Sequence, residues 1–108
     1  MDLAAKKCIP CEGGVFPLTK DEAEALLTQL HGWELSDGAK KIEKSWKFAD
    51  FAQALAFVNK VGAVAEEENH HPEIEFTWGK VEIELSTHSI GGLSENDFIL
   101  AAKIDALA

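Results

Sequence analysis

The sequence is poor in basic residues and contains no long apolar run. Lysine and arginine together number 10 against 19 aspartates and glutamates, which gives a formal net charge of −9. Lys6-Lys7 and Lys40-Lys41 are isolated pairs in this acidic background. Because phosphate binding needs a basic face, we expect no nucleic-acid partner. The apolar runs are far shorter than a membrane span, and no secretory apolar region follows Met1, so we expect a cytoplasmic protein with no membrane contact.

Cysteine is also scarce, with one pair in the sequence Cys8-Ile9-Pro10-Cys11. A C-x-x-C pair is typical of a redox motif or of half a zinc site. The redox motif lies between a strand and a helix, whereas this pair lies near a terminus, and no second C-x-x-C or H-x₃₋₅-H supplies further zinc ligands. We interpret residues 1–17 as a lead-in segment and the cysteine pair as incidental or of minor local importance; a metal or redox role of the pair with a distant partner is the alternative.

The remaining residues, 18–108, are predicted to form one small domain. With 46% apolar residues the chain can bury a modest single core. Thr19 and Glu22 have the spacing of a capping box that opens a first helix, and Gly32 ends that helix. Two extended runs follow, 33–35 and 41–48, joined by a turn that contains Asp-Gly.

A second unit repeats this order. Asp50 caps an apolar helix that is predicted to run to about Glu67, and Pro72 prevents its continuation. Residues 73–86 alternate between apolar and acidic side chains around a Gly-Lys turn, which predicts a second hairpin. Ser94 caps a last helix.

These elements predict an α+β fold. The order is that of a two-layer α-β-β-α-β-β-α sandwich, a four-stranded antiparallel sheet with three helices on one face. On pattern alone, Trp33 and Trp78 are core residues of this fold. The second helix has more apolar surface than one core needs, which is compatible with an oligomer.

Three of the four histidines are candidates for one site: His70 and His71 before Pro72, and His88 after the fourth strand. Clustered histidines indicate proton transfer or metal binding. If the second helix persists, Glu66 lies on the same face as His70, where its carboxylate would favour the imidazolium form and hold the ring. The exits of helix two and strand four could lie side by side, which would place the imidazoles around one cleft.

Each candidate also has an ordinary structural interpretation. A histidine at a helix C-terminus complements the helix dipole, and Asp97 in the first turn of the last helix does the same at the N-terminus. The acidic run 66–68 is typical of a solvated turn. A two-His, one-carboxylate metal site of Glu66, His70 and His88 is the sharper alternative.

The pattern Glu66-x₃-His70-His71-Pro72-x₅-Trp78-x₉-His88-x₈-Asp97 resembles, spacing included, the motif of the pterin-4a-carbinolamine dehydratases. The resemblance extends over about residues 18–107 and includes a tryptophan at the position of Trp33. It implies the same sandwich fold and the dehydration of 4a-hydroxytetrahydropterin to quinonoid dihydropterin. It implies no cofactor and no metal.

The resemblance also implies roles for individual residues. The acid–base pair would be His70 and His88, and His71 would contact and orient the pterin. Glu66 would hold His70, and Asp97 would organise the His88 loop. The pterin pocket would further be lined by Trp33, Pro72, Thr87, Ser89 and Ile90. One departure is Asn69, where animal members carry aspartate; asparagine keeps the hydrogen-bonding shape and loses the charge.

The resemblance implies a homodimer or homotetramer, and a small-molecule pterin as partner. The pathway is open between recycling for an aromatic amino-acid hydroxylase and molybdopterin metabolism. The alternative function is a pterin- or protein-binding module of the same fold, since animal members also serve a homeodomain transcription factor as dimerisation cofactors. Intact His70, His71 and His88 favour catalysis.

Overall fold

A computed structural model describes residues 3–8 and 16–107, and Cys11 of the C-x-x-C pair lies outside these residues. Helices and hairpins alternate in the predicted order, which confirms the α+β sandwich. The elements are α1 (Lys20–Leu27), β1 (Glu34–Ser36), β2 (Lys41–Lys47), α2 (Phe51–Glu68), β3 (Glu73–Thr77), β4 (Lys80–Leu85) and α3 (Glu95–Asp105), with single 3₁₀ turns at Leu3–Ala5 and His88–Ile90.

The four strands form one sheet in the order β1-β2-β4-β3, with every neighbouring pair antiparallel. The alternating pattern buries one face of the sheet against the helices. The buried residues of the two central strands are Ile42, Val81, Ile83 and Leu85, and they share one core with Ala54, Phe57, Val61, Phe98 and Leu100 from α2 and α3. None of the helices in the described part of the chain combines the length and hydropathy that a membrane span requires.

Local capping decides where the helices begin. The Thr19 hydroxyl accepts from the Glu22 N–H at 3.2 Å, and the Glu22 carboxylate accepts from the Thr19 N–H at 2.9 Å. This is the predicted capping box, and it opens α1 at Lys20. The helix ends at Leu27, earlier than Gly32 predicted, because the chain continues in a tighter turn in which Leu30 N–H donates to Leu27 O.

The two tryptophans have opposite environments. Trp33 is buried, and its indole N–H donates to Asp105 Oδ1 at 3.0 Å. Trp78 is 68% exposed, so its assignment to the core was wrong. The strand alternation does not reach Trp78 because β3 ends at Thr77 and the chain turns there into β4.

The outer face of the sheet carries a row of glutamates. Glu34 lies opposite Glu43, Glu43 opposite Glu84, and Glu84 opposite Glu73. Like charges directly opposite each other destabilise a sheet. Burial raises the pKa of Glu84, and hydrogen bonding to the Glu73 carboxyl group raises it further. The positive charge of Lys41 lowers it in part.

We expect the Glu84→Gln substitution to stabilise the protein near neutral pH. The pKa of Glu84 is higher in the folded protein than in the unfolded chain. Ionisation of Glu84 therefore destabilises the fold: its contribution to stability is fully present below the unfolded-state pKa and is lost as pH rises through the folded-state pKa. The variant should therefore gain about 0.5–1 kcal/mol in the free energy of unfolding near pH 7, the size of a cross-strand pair effect. Urea unfolding at several pH values measures this gain.

The gain should disappear in acid, where Glu84 is protonated in both states. Glu24→Gln is the control, because Glu24 forms an exposed pair with Lys20 at 3.9 Å within one helix. A gain for Glu84→Gln that is the same at all pH values would contradict this explanation.

Candidate functional site

His70, His71 and His88 line one open cleft where α2 and β4 end, with a volume of about 630 Å³. The structure therefore brings the three histidines together. The other lining residues are Cys8, Glu67, Glu68, Asn69, Ser86, Thr87, Ser89 and Asn96. Another hollow of about 370 Å³ on the outer sheet face is lined mainly by glutamates and contains no imidazole, so we take the histidine cleft as the candidate site.

The exit of α2 explains the position of His70. Asn69 adopts the left-handed conformation, with φ 52° and ψ 40°, and so ends the helix after Glu68. Asparagine is among the few residues other than glycine that adopt this conformation readily. Because the chain turns there, His70 does not continue the helix face that carries Glu66.

His70 instead pairs with Asp97 at the start of α3. The distance between His70 Nε2 and Asp97 Oδ1 is 2.6 Å; the His70 side chain is 13% exposed, and that of Asp97 is fully buried. An ionised carboxylate only accepts hydrogen bonds, so this contact holds a proton on Nε2. In neutral His70 the lone pair is then on Nδ1.

The Asp97 carboxylate joins three elements. Its Oδ2 accepts from the Thr87 hydroxyl at 2.8 Å and from the Ser94 N–H at 3.0 Å, while Oδ1 faces His70. The second of these contacts belongs to the capping box of α3, whose N-cap residue, Ser94, was predicted. A buried charge is tolerated when it is paired and hydrogen-bonded, and this carboxylate is both. Asp97 thus fixes the exits of α2 and β4 against the N-terminus of α3.

Glu66 pairs with His71, and the expectation that it would hold His70 was wrong. Its Oε1 lies 2.8 Å from His71 Nε2. The side chains of Glu66 and His71 are 81% and 55% exposed, and such exposed pairs contribute little to stability. The carboxylate that orients His70 is Asp97, because the left-handed residue at 69 interrupts the expected i, i+4 geometry.

His88 lies on a 3₁₀ turn closed at its base. Thr87 N–H donates to Gly92 O at 2.7 Å, and Gly91 reverses the chain with φ 70°. The His88 side chain is exposed to the cleft, and within residues 3–8 and 16–107 its ring makes no hydrogen bond or ion pair. The backbone of the turn therefore places this imidazole, and the side chain is exposed.

Some residues expected to line the pterin pocket lie in the histidine cleft, and others do not. Thr87 and Ser89 line the cleft. Trp33 does not, because it packs edge-on against Trp46 at 5.6 Å, in the core. Neither Pro72 nor Ile90 is a lining residue: Pro72 leads directly into β3, and Ile90 closes the 3₁₀ turn through its N–H to Thr87 O.

Cys8 and Glu68 are among the lining residues that were not expected from the sequence. The acidic run 66–68 was interpreted as a solvated turn, yet the Glu68 side chain is only 4% exposed. Helical spacing held a signal for it, since Glu68 follows the buried Val61 and Ala65 at i+7 and i+3. For Cys8 no sequence pattern points to this cleft. Among the described residues, no group of three or more His, Cys, Asp or Glu is arranged to hold a metal ion.

We expect the Thr87→Val substitution to destabilise the protein by about 1–3 kcal/mol, because it leaves the buried Asp97 carboxylate short of one donor. The Thr87 hydroxyl also lies 2.7 Å from Ser94 Oγ, and the variant loses this contact too. Thr28→Val is the control, since the Thr28 hydroxyl bonds to Ala25 O on the exposed surface, and it should stay within about 0.5 kcal/mol of the parent. Equal effects of the two substitutions in urea unfolding would refute the importance of the Asp97 network.

Comparison with known proteins places this chain in a family. The family model described as "Pterin 4 alpha carbinolamine dehydratase" matches residues 16–107. Proteins from Methylococcus capsulatus and Rubrobacter xylanophilus, both with the curated name "Putative pterin-4-alpha-carbinolamine dehydratase", are 52% and 53% identical over 106 residues. Those residues are 98% of this chain and 93% and 98% of the respective relatives.

Solved structures show the same fold. A crystal structure of a transcriptional coactivator/pterin dehydratase from Brucella melitensis superposes with a TM-score of 0.81 at 38% identity, covering 85% of this chain and 98% of that one. A pterin dehydratase-like protein identified as a RuBisCO assembly factor in the alpha-carboxysome has a TM-score of 0.63 at 32% identity, covering 72% and 90%. The chain belongs to the pterin-4a-carbinolamine dehydratase family.

Proposed function

We propose that this protein catalyses the dehydration of 4a-hydroxytetrahydropterin to quinonoid dihydropterin and water. The observation that carries the proposal is the Asp97–His70 pair inside a cleft that His71 and His88 also line. Family membership supports the substrate class.

The dehydration requires two proton transfers. The bond between C4a and the hydroxyl oxygen breaks, and the oxygen leaves as water once it has received a proton. The proton on N5 departs, and its electron pair forms the C4a=N5 bond. No electrons are exchanged with another molecule, so one acid and one base suffice, each worth roughly 10²–10⁴-fold in rate.

We assign the base to His70. Asp97 keeps the proton of the neutral ring on Nε2, so the lone pair on Nδ1 is available for the N5 proton. The same carboxylate fixes the orientation of the ring, as the aspartate of a Ser-His-Asp triad does. Asp97 is accordingly a positioning residue for His70.

We assign the acid to His88, whose exposed ring takes up a proton from solvent and gives it to the leaving hydroxyl. His71 would contact and orient the pterin, with Glu66 limiting the freedom of its ring. After each turnover His70 carries a proton and His88 lacks one, and exchange with water restores both.

The protein would act as a cytoplasmic homodimer or homotetramer, and its reaction would serve tetrahydrobiopterin recycling or a step of molybdopterin metabolism. The exposed apolar side chains of Phe51 and Leu55 on α2 support self-association.

We expect His70→Ala and His88→Ala each to lower kcat by roughly 10²–10⁴-fold, because each removes one proton transfer. His71→Ala should raise KM more than it lowers kcat, because it removes a substrate contact. Loss of the 4a-hydroxy intermediate, followed by ultraviolet absorbance and corrected for the spontaneous reaction, measures these effects. Circular dichroism checks that each variant is folded.

His31→Ala is the matched control and should keep the parent activity, since His31 lies on an exposed turn after α1. Failure of the folded parent protein to accelerate the reaction would exclude catalysis. Binding of a dihydropterin without acceleration would favour the alternative, a pterin- or protein-binding module, for which the exposed Trp78, Phe51 and Leu55 offer a contact surface.

A further inference from the structure

Residues 3–8, the N-terminal strap, pack along α3 and end at the histidine cleft. Leu3 is 2% exposed and belongs to the same core as the sheet and helices. Lys6 Nζ lies 2.8 Å from Glu95 Oε1 at the start of α3. Leu3 thus attaches the strap to the core, and Lys6 attaches it to α3.

Glu68 holds the end of the strap that reaches the cleft. Its Oε1 accepts from the Cys8 N–H at 2.8 Å, and its Oε2 lies 3.9 Å from Lys103 Nζ. The same ammonium donates to Ala4 O at 2.9 Å. A buried carboxylate and one lysine of α3 therefore fix the backbone of the strap at two positions.

The Cys8 side chain lies in the cleft wall beside the histidines. It lines the same cleft as His70 and His88, and its sulfur contacts Asn96 O at 3.6 Å. Burial, and then the Glu68 carboxylate, raise the pKa of the Cys8 thiol to about 12. At neutral pH the thiol is uncharged, so it is a small uncharged wall group and no thiolate nucleophile is present there.

We infer that the N-terminal strap is one wall of the pterin-binding cleft and that Glu68 is the positioning residue that sets this wall. The inference rests on the proposed function for the identity of the ligand. It gives the lead-in segment a part in substrate binding, and it explains why Glu68 is buried two residues before His70.

Glu68→Ala and Glu68→Gln test the positioning role in the full chain. Alanine removes both contacts of the carboxylate and so releases the strap from the cleft. KM should rise about three- to tenfold, because holding the strap in place during binding then costs about as much free energy as one hydrogen bond. The kcat should stay within about twofold, because the imidazoles keep their own partners. Glutamine keeps an acceptor for the Cys8 N–H, so its KM should lie close to the parent value.

Glu24→Ala and Glu24→Gln are the matched controls on α1 and should leave KM unchanged. An unchanged KM in folded Glu68→Ala would overturn the positioning role. So would a fall in kcat at constant KM, or equal KM values for the alanine and glutamine variants.

A second experiment measures pterin affinity without turnover and so tests whether the strap forms a wall of the binding cleft. Titration calorimetry with 7,8-dihydrobiopterin, a stable pterin without the 4a-hydroxyl group, compares the parent with Cys8→Phe and Cys8→Ala. The phenyl group should crowd the cleft and weaken binding at least about tenfold, whereas alanine should change it less than about threefold. Equal affinities for Cys8→Phe and the parent would overturn the inference even if Glu68→Ala fails to fold.

The two proposals fail in different ways. A parent protein that binds dihydrobiopterin without catalysing dehydration would exclude the proposed reaction and leave the wall testable by the same titration. If the parent is active and Cys8→Phe binds dihydrobiopterin with the parent affinity, the strap does not form a wall of the cleft, and the proposed reaction still stands. A parent that neither binds nor reacts would exclude both.

Discussion

The structure depends most on one fully buried carboxylate, that of Asp97. Removing a charge from water costs several kcal/mol unless partners replace the lost hydration. Asp97 finds those partners on three elements that are distant in sequence: the imidazole that follows α2, the hydroxyl that follows β4, and the backbone at the start of α3. The packing that satisfies this charge also sets the site, since the same contacts bring His70 beside the loop that carries His88.

The second constraint is the left-handed residue between α2 and His70. A helix that continued past Glu68 would place His70 above Glu66, on an exposed face. Asn69 ends the helix and turns His70 towards the buried carboxylate of Asp97, and it leaves His71 to pair with Glu66 in solvent. Asparagine at this position thus has a backbone role that does not require a charge.

Sequence reasoning succeeded where the determining interactions are local. The capping box at Thr19 and the N-cap at Ser94 predicted the starts of α1 and α3, and period-two alternation predicted the strands and their buried face. It failed where contacts with residues distant in sequence determine the environment of a side chain. The burial of Glu68 depends on the N-terminal strap and Lys103. The pairing of Glu66 was mispredicted because an i, i+4 rule assumes a helix that the chain does not continue.

The two imidazoles assigned to proton transfer are held in different ways, and this difference bears on their proposed roles. His70 is largely buried and has one nitrogen occupied by a carboxylate, so its tautomer and its direction are fixed. His88 is positioned by the backbone of a closed turn, and its ring is exposed. A base that removes one particular proton benefits from a fixed lone pair, whereas an acid that must be reloaded after every turnover benefits from contact with water. The asymmetry around Asp97 therefore favours His70 as base and His88 as acid over the reverse.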